Sequence, residues 1–273
     1  MCLNDRGKHM KEKMKRIIDK FHQYNSEHMA LQAFGLRDDV EYDALVVAPS
    51  FSPYKLKMER FCKVTTLKEG AYIAGYLVEK DNLKIAWIKI GSSAGNLIDH
   101  VAICGELKFK TMTFIGAVGA LKKEFGLGDI CTPSYSISGG YTNTYLKESL
   151  RDFVPFEKVV PEMSFIDEVV DIGKKKGYDI KKSSVFCTDS IALEYYHLDE
   201  IREFDTDLIE METASFYLMA DLLEVPSVAL LVVSDNSATG TALVGRTEEE
   251  EERYNRGRCV VLPDMILTLA GKQ

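Results

Sequence analysis

The sequence predicts a single α/β domain in which helices pack against a buried central sheet. The first observation is the uninterrupted apolar run VALLVV, Val228 to Val233, which is typical of a strand buried on both faces of a parallel sheet. The second is that further short apolar runs are separated by segments with helical spacing. The third is that no repeat, linker or low-complexity segment divides the 273 residues, so we expect one domain.

The composition argues against several classes of protein. A net charge of -8 argues against nucleic-acid binding, which requires a basic surface. The six cysteines occur singly and without metal-ligand spacing, so we expect reduced thiols and no metal site. No apolar stretch is long enough for a membrane span or a signal peptide, and we therefore expect a cytoplasmic protein that binds no membrane. The cysteines are Cys2, Cys62, Cys104, Cys131, Cys187 and Cys259.

The start of the chain is predicted to be a helical extension, residues 1–36, ahead of the main domain, residues 37–273. Apolar residues near helical spacing among charges predict an amphipathic helix from Lys11 to Leu31. We interpret its basic face as a solvated surface, with a docking arm as the alternative.

The first buried strand is predicted at Tyr42 to Ala48 and is followed by a turn rich in Pro and Ser. Ser52 and Lys55 lie in this turn, at the carboxyl end of the strand, where they can hold an anion. A basic helix start on the surface is the alternative. An antiparallel hairpin is expected next, with strands at 64–66, 71–79 and 83–90 and a polar turn at Lys80-Asp81-Asn82.

Small residues then form a candidate ligand loop at Gly91 to Asn96, before a helix expected at 97–107. Ser92 and Ser93 lie where the amides of a helix N-terminus can receive anions or hydroxyls. The alternative is a loop that only turns the chain.

A second small-residue turn is expected at Gly116 to Ala120, after a strand at 111–115. It places Gly116 at a strand end, where a backbone can approach a ligand closely. The polar loop from Ser138 to Tyr145 is interpreted as a pocket cover or a simple connection. The remaining elements are expected as strands at 129–137 and 183–187 and as helices at 164–176, 191–204 and from 247 onward.

Helix caps support these boundaries. Gly177 follows the expected helix at 164–176, as a helix-ending glycine does. Asp189 and Ser190 are interpreted as caps of the next helix. Thr247 with Glu250 matches a capping box at the start of the last helix.

Two acidic clusters follow neighbouring predicted strands, at Glu210-Met211-Glu212 and at Ser234-Asp235-Asn236. Parallel sheets bind ligands outside the carboxyl ends of their strands, so both clusters lie where chemistry is expected. Phe186 ends another strand and offers a flat apolar ring. Capping and solvation are the alternative for the acidic residues, and core packing is the alternative for Phe186.

The most specific pattern is EMETAS at Glu210 to Ser215, followed after a helix and a buried strand by SDN at Ser234 to Asn236. With these motifs, the chain from Tyr42 to the last helix resembles the nucleoside phosphorylase/nucleosidase superfamily. This group includes purine nucleoside phosphorylases, uridine phosphorylase and the nucleosidases for AMP and methylthioadenosine. The resemblance implies a three-layer α/β/α domain with a mixed, twisted sheet, and a homo-oligomer, either a dimer or a hexamer.

The resemblance also implies a role for each motif residue. Cleavage of an N-glycosidic bond builds positive charge on the ribose and negative charge on the base. Glu212 would bind the 2'- and 3'-hydroxyls, and Asp235, oriented by Ser234, would protonate a purine nitrogen. Met211 would pack beneath the ribose, and Phe186 would stack on the base. Further candidate contacts are Glu210, Ser92, Ser93 and Gly116, with Arg246 assisting Asp235.

Phosphate binding is where the chain departs from the superfamily pattern. Lys55 stands in place of a phosphate-binding arginine, and lysine offers a point charge without a bidentate fork. Phe114 replaces a second arginine, and Ala117 replaces a serine. The other cations available for a different anion site are Lys57, Arg60 and Lys89.

These features predict an enzyme that cleaves the N-glycosidic bond of a nucleoside or nucleotide, with a purine favoured. Phosphorolysis to free base and ribose 1-phosphate is the first expectation, with phosphate as co-substrate and no cofactor. Hydrolysis by water, as in AMP nucleosidase, is the alternative, because nucleosidases also lack the phosphate ligands. A nucleoside-binding protein without catalysis is the third interpretation.

Overall fold

The computed structural model describes residues 11–25 and 28–272. Cys2 and the first ten residues of the predicted extension lie outside this part of the chain. The strands are β1 (Glu41–Ala48), β2 (Lys63–Lys68), β3 (Ala74–Lys80), β4 (Leu83–Lys89), β5 (Lys108–Ala120), β6 (Ile130–Ser138), β7 (Lys158–Val159), β8 (Ile180–Cys187), β9 (Leu208–Glu210) and β10 (Ser227–Asn236). The α-helices are α1 (Glu12–His22), α2 (Met29–Phe34), α3 (Ala94–Ile103), α4 (Met163–Lys175), α5 (Leu198–Arg202), α6 (Thr213–Leu223), α7 (Glu248–Arg256) and α8 (Leu262–Ala270).

The strands form one mixed sheet around the long strand β5. β1 and β10 flank β5 in parallel, β4 pairs with β1 in parallel, and β3 and β2 follow as antiparallel neighbours. Beyond β10 the order continues through β6, β8 and β9, and β9 pairs with the end of β5. Strands β5, β10, β6, β8 and β9 therefore close into a ring.

Helices cover both faces of the sheet. Successive residues of a strand project to opposite faces, and β1 shows the consequence. Leu45 and Val47 belong to the core cluster that contains residues of α1, α2, α3 and α6. Ala44 and Val46 belong to the cluster that contains residues of α4, α7 and α8. The predicted α/β class, with a mixed sheet between two helical layers, is confirmed.

The predicted amphipathic helix from Lys11 to Leu31 is confirmed over α1 (Glu12–His22), but its end is wrong, because Met29 begins a separate helix, α2. His28, which precedes α2, has a φ of 59°, a left-handed conformation that a right-handed helix does not continue. Met14 and Ile18 of α1 lie in the same core cluster as Phe34 of α2. Both helices are thus held by burial of their apolar residues, and the division of the chain at residue 36 stays a prediction.

The predicted helix at 191–204 is also wrong. A 3-10 turn at Glu194–His197 and the short α5 take its place. Ile191 and Leu193 are exposed, so this segment has no continuous apolar face to bury. Ser190 does cap the turn, since its Oγ accepts a hydrogen bond from the Leu193 N–H at 3.2 Å.

Strand β5 continues through Gly116 to Ala120, where the sequence predicted a turn. These residues pair with β10 throughout, and the last two also pair with β9. A side chain at Gly116 would lie 3.0 Å from the Phe114 ring, so this glycine allows close packing inside a strand. The turn prediction is therefore wrong, because long-range pairing overrides the local preference of small residues.

The cysteines that the structure describes are free thiols: Cys62, Cys104, Cys131, Cys187 and Cys259. Within residues 11–25 and 28–272, no helix combines the length and apolar character that a membrane crossing needs. In the same part of the chain, no group of three His, Cys, Asp or Glu side chains is placed to hold a metal ion.

The start of α7 has the capping box that the sequence predicted. The Thr247 hydroxyl accepts from the Glu250 N–H at 3.3 Å, and the Glu250 carboxylate accepts from the Thr247 N–H at 2.8 Å. The two contacts satisfy two amides that the first turn of a helix leaves unpaired. Beyond α7, a π-helical turn at Gly257–Val261 leads into α8.

We expect Thr247→Ala to lower the free energy of unfolding by about 1 kcal/mol, because the Glu250 N–H loses its acceptor. In a chain of this size, such a loss lowers Tm by roughly 2–4 °C. Thermal unfolding followed by circular dichroism measures the change. Thr247→Ser keeps the hydroxyl and is the matched control, which should unfold close to the wild type. Equal Tm values for wild type and Thr247→Ala would contradict the role of the cap.

Candidate active site

A row of residues across four strands joins two of the predicted site residues. Asp235 of β10 lies opposite Gly119 of β5, which lies opposite Ile209 of β9. Ile209 in turn lies opposite Phe186 of β8. A side chain at Gly119 would lie 3.0 Å from the Asp235 carboxylate and 3.1 Å from Ile209, so these side chains share one surface. Ile209 and Phe186 belong to one apolar cluster on this surface.

Asp235 forms the polar end of this row. The Ser234 hydroxyl donates to Asp235 Oδ1 at 2.7 Å. Arg246 donates to the Ser234 carbonyl at 2.8 Å and lies 4.0 Å from the centre of the Tyr254 ring. Burial raises the pKa of Asp235, while the Ser234 hydroxyl and the charge of Arg246 oppose the rise. The structure thus brings the predicted residues Ser234, Asp235 and Arg246 together around a candidate acid.

The Glu210 carboxylate is hydrogen-bonded within the protein through both of its oxygens. It accepts from the N–H groups of Glu212 and Thr213 at 2.7 and 3.0 Å, from the Thr213 hydroxyl at 2.8 Å and from the Cys187 thiol at 2.9 Å. Since the amides belong to the start of α6, Glu210 caps this helix. Glu210 was predicted to contact substrate, but both of its oxygens are occupied, and it instead positions the residues that follow it.

Glu212, by contrast, has an oxygen without a partner. The residue is 4% exposed, and its Oε1 is buried with no hydrogen bond among the described residues. Burial and the charge of Glu210 raise the pKa of Glu212 well above its usual range, against the opposing effect of the Ser93 and Met211 backbones. An unpaired buried acceptor is costly, so this carboxyl is suited to a ligand that brings hydroxyl groups.

The loop at Gly91 to Asn96 borders Glu212 through Ser93. The Ser93 hydroxyl accepts from the Asn96 N–H at 3.1 Å and caps α3. This cap explains why α3 begins three residues earlier than the predicted start at residue 97. The hydroxyl of Ser93 is therefore used by the helix, whereas Ser92 is exposed.

Phe186 lies in an aromatic cluster and is 4% exposed. Its ring centroid lies 5.2 Å from that of Phe204 and 6.3 Å from that of Phe156. Core packing, the alternative interpretation, thus describes Phe186 in this conformation. A base can stack on Phe186 only if part of this cluster moves aside.

A narrow cleft lies beside Met211 and Ala94, with Asn143 and Ser215 in its lining. Its polar groups bond to one another, since Ser215 donates to Asn143 at 2.6 Å and Asn143 donates to Ser138 at 3.0 Å. In this conformation the cleft has room for little more than a water molecule, so a ribose beside Met211 requires that the lining move apart.

The predicted anion-binding residues have separate environments. Lys89 donates to the Ala71 carbonyl at 2.9 Å. Phe114 is fully buried in the core. Lys55 is exposed at the carboxyl end of β1, in a turn where the Ser52 hydroxyl accepts from the Lys55 N–H at 3.2 Å. Of the four cations considered for an anion site, Lys55 and Arg60 are exposed, whereas Lys57 and Lys89 are partly buried.

Sequence reasoning missed three residues of this region: Gly119, Ile209 and Glu194. Gly119 has no side chain and therefore leaves space beside the Asp235 carboxylate. In the sequence it is the second glycine of a segment that we interpreted as a turn. Glu194 is partly buried in the segment after β8, and no local pattern marks it. Burial and the charge of Asp235 raise the pKa of Glu194 to about 7.

The family model described as the phosphorylase superfamily matches residues 52–261 of this chain. The chain belongs to the phosphorylase superfamily. The resemblance inferred from EMETAS and SDN is thereby confirmed, since both motifs lie inside the matched region.

Curated relatives of this superfamily member are similar over part of their length. Purine nucleoside phosphorylase DeoD-type from Geobacillus stearothermophilus is 25% identical over 146 residues, which cover 54% of this chain and 59% of that protein. The protein of the same name from Alkaliphilus metalliredigens is 28% identical over 149 residues, covering 53% and 58%. The chain thus spans less than two thirds of the length of the curated relatives that it matches.

Solved structures of the superfamily share the fold over nearly the whole chain. AMP nucleosidase from Bacteroides thetaiotaomicron has a TM-score of 0.67 and 20% identity, and the match covers 94% of this chain and 96% of that one. Purine nucleoside phosphorylase from Toxoplasma gondii, in complex with immucillin-H, has a TM-score of 0.67 and 16% identity, covering 86% and 94%. At these identities the similarity shows the fold alone.

Proposed function

We propose that this chain cleaves the N-glycosidic bond of a purine nucleoside. The observation that carries the proposal is the Asp235 carboxyl, which the Ser234 hydroxyl orients at the end of β10 beside Gly119. The unpartnered Oε1 of Glu212 supports the proposal, because such an acceptor suits the hydroxyls of a sugar. The family match and the names of the relatives are consistent with this reaction.

The proposed roles follow from the charges that develop during bond cleavage. As the bond between ribose C1' and the purine nitrogen breaks, its electron pair goes to the base and the ribose becomes positive. Asp235 would give a proton to the base, and burial favours this role because it raises the pKa of Asp235. Glu212 would hold the 2'- and 3'-hydroxyls and place negative charge near the positive ribose. An oxygen of phosphate or water would then bond to C1'; a water would release one proton as it bonds, and Asp235 would regain a proton from solvent.

The acceptor that we propose first is phosphate. Lys55 supports it as an exposed cation in the turn that follows β1, and the curated relatives are named phosphorylases. Water is the second candidate. It is supported by the buried Phe114 and by Lys89, whose ammonium group bonds to a backbone carbonyl.

The sugar product distinguishes the candidate reactions. The protein is incubated with adenosine, inosine, AMP or uridine, with and without phosphate, and the sugar is identified. Ribose 1-phosphate indicates a phosphorylase, and free ribose or ribose 5-phosphate indicates a nucleosidase. Nucleoside binding without turnover would contradict the enzyme proposal and leave the non-catalytic binding protein.

With phosphate as acceptor, we expect Lys55→Ala to raise KM for phosphate by about tenfold or more, with a smaller effect on nucleoside KM, because a charged hydrogen bond is lost. Initial rates over a range of phosphate concentrations measure this change. Lys68→Ala, an exposed lysine on β2, is the matched control. A rate that does not depend on phosphate, and that Lys55→Ala leaves unchanged, would favour water as the acceptor.

We further propose a cytoplasmic homo-oligomer, a dimer or a hexamer, that binds a small nucleoside or nucleotide. Exposed aromatic side chains support the oligomer, since contiguous apolar surface often marks protein interfaces. Tyr141 contacts Tyr145 and Phe153, and these three exposed rings form one such surface. Light scattering coupled to size-exclusion chromatography determines the number of subunits.

A further inference from the structure

Two arginines, Arg246 and Arg258, pack against one buried tyrosine ring, and we call them the arginine pair. The centre of the Arg246 guanidinium lies 4.0 Å from the centroid of the Tyr254 ring, and that of Arg258 lies 4.9 Å from it. The ring is part of the core, and the two arginine side chains are only 13% and 23% exposed. Partly buried like charges repel one another more strongly than exposed ones, so the arginine pair requires negative charge nearby.

A single carboxylate supplies negative charge to both arginines. Glu251 Oε2 lies 3.2 Å from Arg246 Nη1, and Glu251 Oε1 lies 4.0 Å from Arg258 Nη2. Within residues 11–25 and 28–272, no other acidic side chain forms an ion pair with either arginine. The Glu251 side chain is 44% exposed, and its Oε1 also accepts from Asn255 at 2.9 Å. Two partly buried positive charges therefore share one half-exposed negative charge.

The arginine pair also has hydrogen-bond donors without acceptors. Arg246 Nη2 donates to the Ser234 carbonyl at 2.8 Å, and Arg258 Nη2 donates to Asn255 Oδ1 at 2.5 Å. The Nε–H groups of both arginines, by contrast, are buried and have no acceptor among the described residues. A buried donor without an acceptor is costly, so both guanidinium groups are suited to a ligand that brings several acceptor oxygens.

The arginine pair connects two parts of the candidate site. Arg246 donates to the carbonyl of the residue that precedes Asp235, the candidate acid. The thiol of Cys259, the residue after Arg258, lies 3.7 Å from the Lys55 carbonyl, so the turn that carries this exposed lysine packs against the π-helical turn. A ligand held by both arginines would therefore lie between the candidate acid and the turn that was predicted to bind an anion.

The contacts of Glu251 indicate the kind of ligand. Its carboxylate faces two guanidinium groups, each with a different oxygen. A phosphate group can make the same contacts, because guanidinium donors match phosphate oxygens as well as carboxylate oxygens. Phosphate brings more oxygens and a charge of about -1.5 to -2 at pH 7, so it can satisfy more donors and offset both positive charges.

We propose that the arginine pair binds a phosphate group and that the Glu251 carboxylate competes with this group for the two guanidinium groups. The inference rests on the proposed function and adds Arg246 and Arg258 to the phosphate site proposed at Lys55. The phosphate group is either inorganic phosphate, as the acceptor, or the 5'-phosphate of a nucleotide substrate. Both sources bring the same oxygens, and titration with each of them distinguishes the two.

The first test is calorimetric titration of the protein with inorganic phosphate. Arg258→Gln should weaken phosphate binding by about tenfold or more, because a charged hydrogen bond is lost. Arg258→Lys keeps the charge without the fork and should bind with intermediate affinity. Glu251→Gln removes the competing charge and should tighten phosphate binding by about threefold or more. Arg256→Gln and Glu252→Gln change exposed residues of α7 and are the matched controls, which should bind as the wild type does.

Titration with AMP and adenosine identifies the source of the phosphate group. Binding of inorganic phosphate that Arg258→Gln weakens supports a site for the acceptor. A preference for AMP over adenosine that Arg258→Gln removes supports a site for the 5'-phosphate. The inference is overturned if the wild type shows neither behaviour, if a folded Arg258→Gln protein keeps both affinities, or if Glu251→Gln weakens binding. Should Arg258→Gln fail to fold, Arg258→Lys and Glu251→Gln decide by the same titrations.

Analysis of the sugar product tests the proposed function separately. Cleavage of a nucleoside by a protein that binds no phosphate group at the arginine pair overturns this inference and leaves the proposed function standing. Phosphate binding that depends on Arg258, without cleavage of any nucleoside, supports the site and overturns the proposed function.

Discussion

Asp235→Asn should lower kcat for purine nucleoside cleavage by roughly two to four orders of magnitude while changing KM much less. The reason is that asparagine has no proton to give to the departing base, so the transition state loses more than the bound substrate does. Asparagine has nearly the same shape, and its Oδ1 can still accept the hydrogen bond that Ser234 donates to Asp235 Oδ1 at 2.7 Å. Steady-state kinetics with a purine nucleoside measures the effect.

The pH profile gives an independent check on Asp235. The acid must be protonated to act, and burial raises its pKa, so activity of the wild type should fall as pH rises through that raised value. Asp235→Asn should lack this alkaline fall. Asp171→Asn, on the exposed side of α4, is the matched control and should behave as the wild type. Turnover retained in Asp235→Asn would remove Asp235 from the mechanism.

The sequence was sufficient to predict the fold class, because burial on both faces leaves a plain pattern in the strands. β10 is apolar without interruption from Val228 to Val233 and is buried throughout that run. Prediction failed where distant contacts decide the local structure. Gly116 to Ala120 became strand because β9 and β10 pair with it. In the segment 191–204 only α5 is an α-helix, because Ile191 and Leu193 stay exposed and give the segment no continuous apolar face.

The motifs located the candidate site, but they could not predict the role of each acidic residue. Glu210 and Glu212 are two residues apart in one motif, and local sequence treats them alike. Their difference depends on the amides of α6, which point at Glu210 and leave Glu212 Oε1 without a partner. The raised pKa of Glu194 could not be predicted for a related reason, because the charge of Asp235 that contributes to it comes from a distant part of the chain.

This difference between the two glutamates leads to opposite expectations for the same substitution. Glu210→Gln should mainly destabilise the protein, by about 1–2 kcal/mol, because the carboxamide has one acceptor oxygen for the hydrogen bonds that two amides, a hydroxyl and a thiol give to the two carboxylate oxygens. Glu212→Gln removes a carboxyl whose pKa is raised by burial and by Glu210, so it should leave stability unchanged or increase it.

Glu212→Gln should instead lower kcat/KM for nucleosides by about a hundredfold or more. The neutral amide keeps one acceptor for the sugar hydroxyls but loses the charge that favours a positive ribose in the transition state. Thermal unfolding of both variants, together with their kinetics, separates the two glutamates. A Glu212→Gln protein that is fully active but unstable would reverse the roles inferred for Glu210 and Glu212.

Substrates that lack sugar hydroxyls locate the effect of Glu212→Gln at the ribose. If the carboxyl binds the 2'- and 3'-hydroxyls, the variant should lose much less kcat/KM on a 2',3'-dideoxynucleoside than on the ribonucleoside, as interacting groups do in a double-mutant cycle. Asp235→Asn should lose the same factor on both substrates, because its proton goes to the base. If Glu212→Gln lost the same factor of kcat/KM on both substrates, the unpartnered Glu212 oxygen would not bind the sugar hydroxyls.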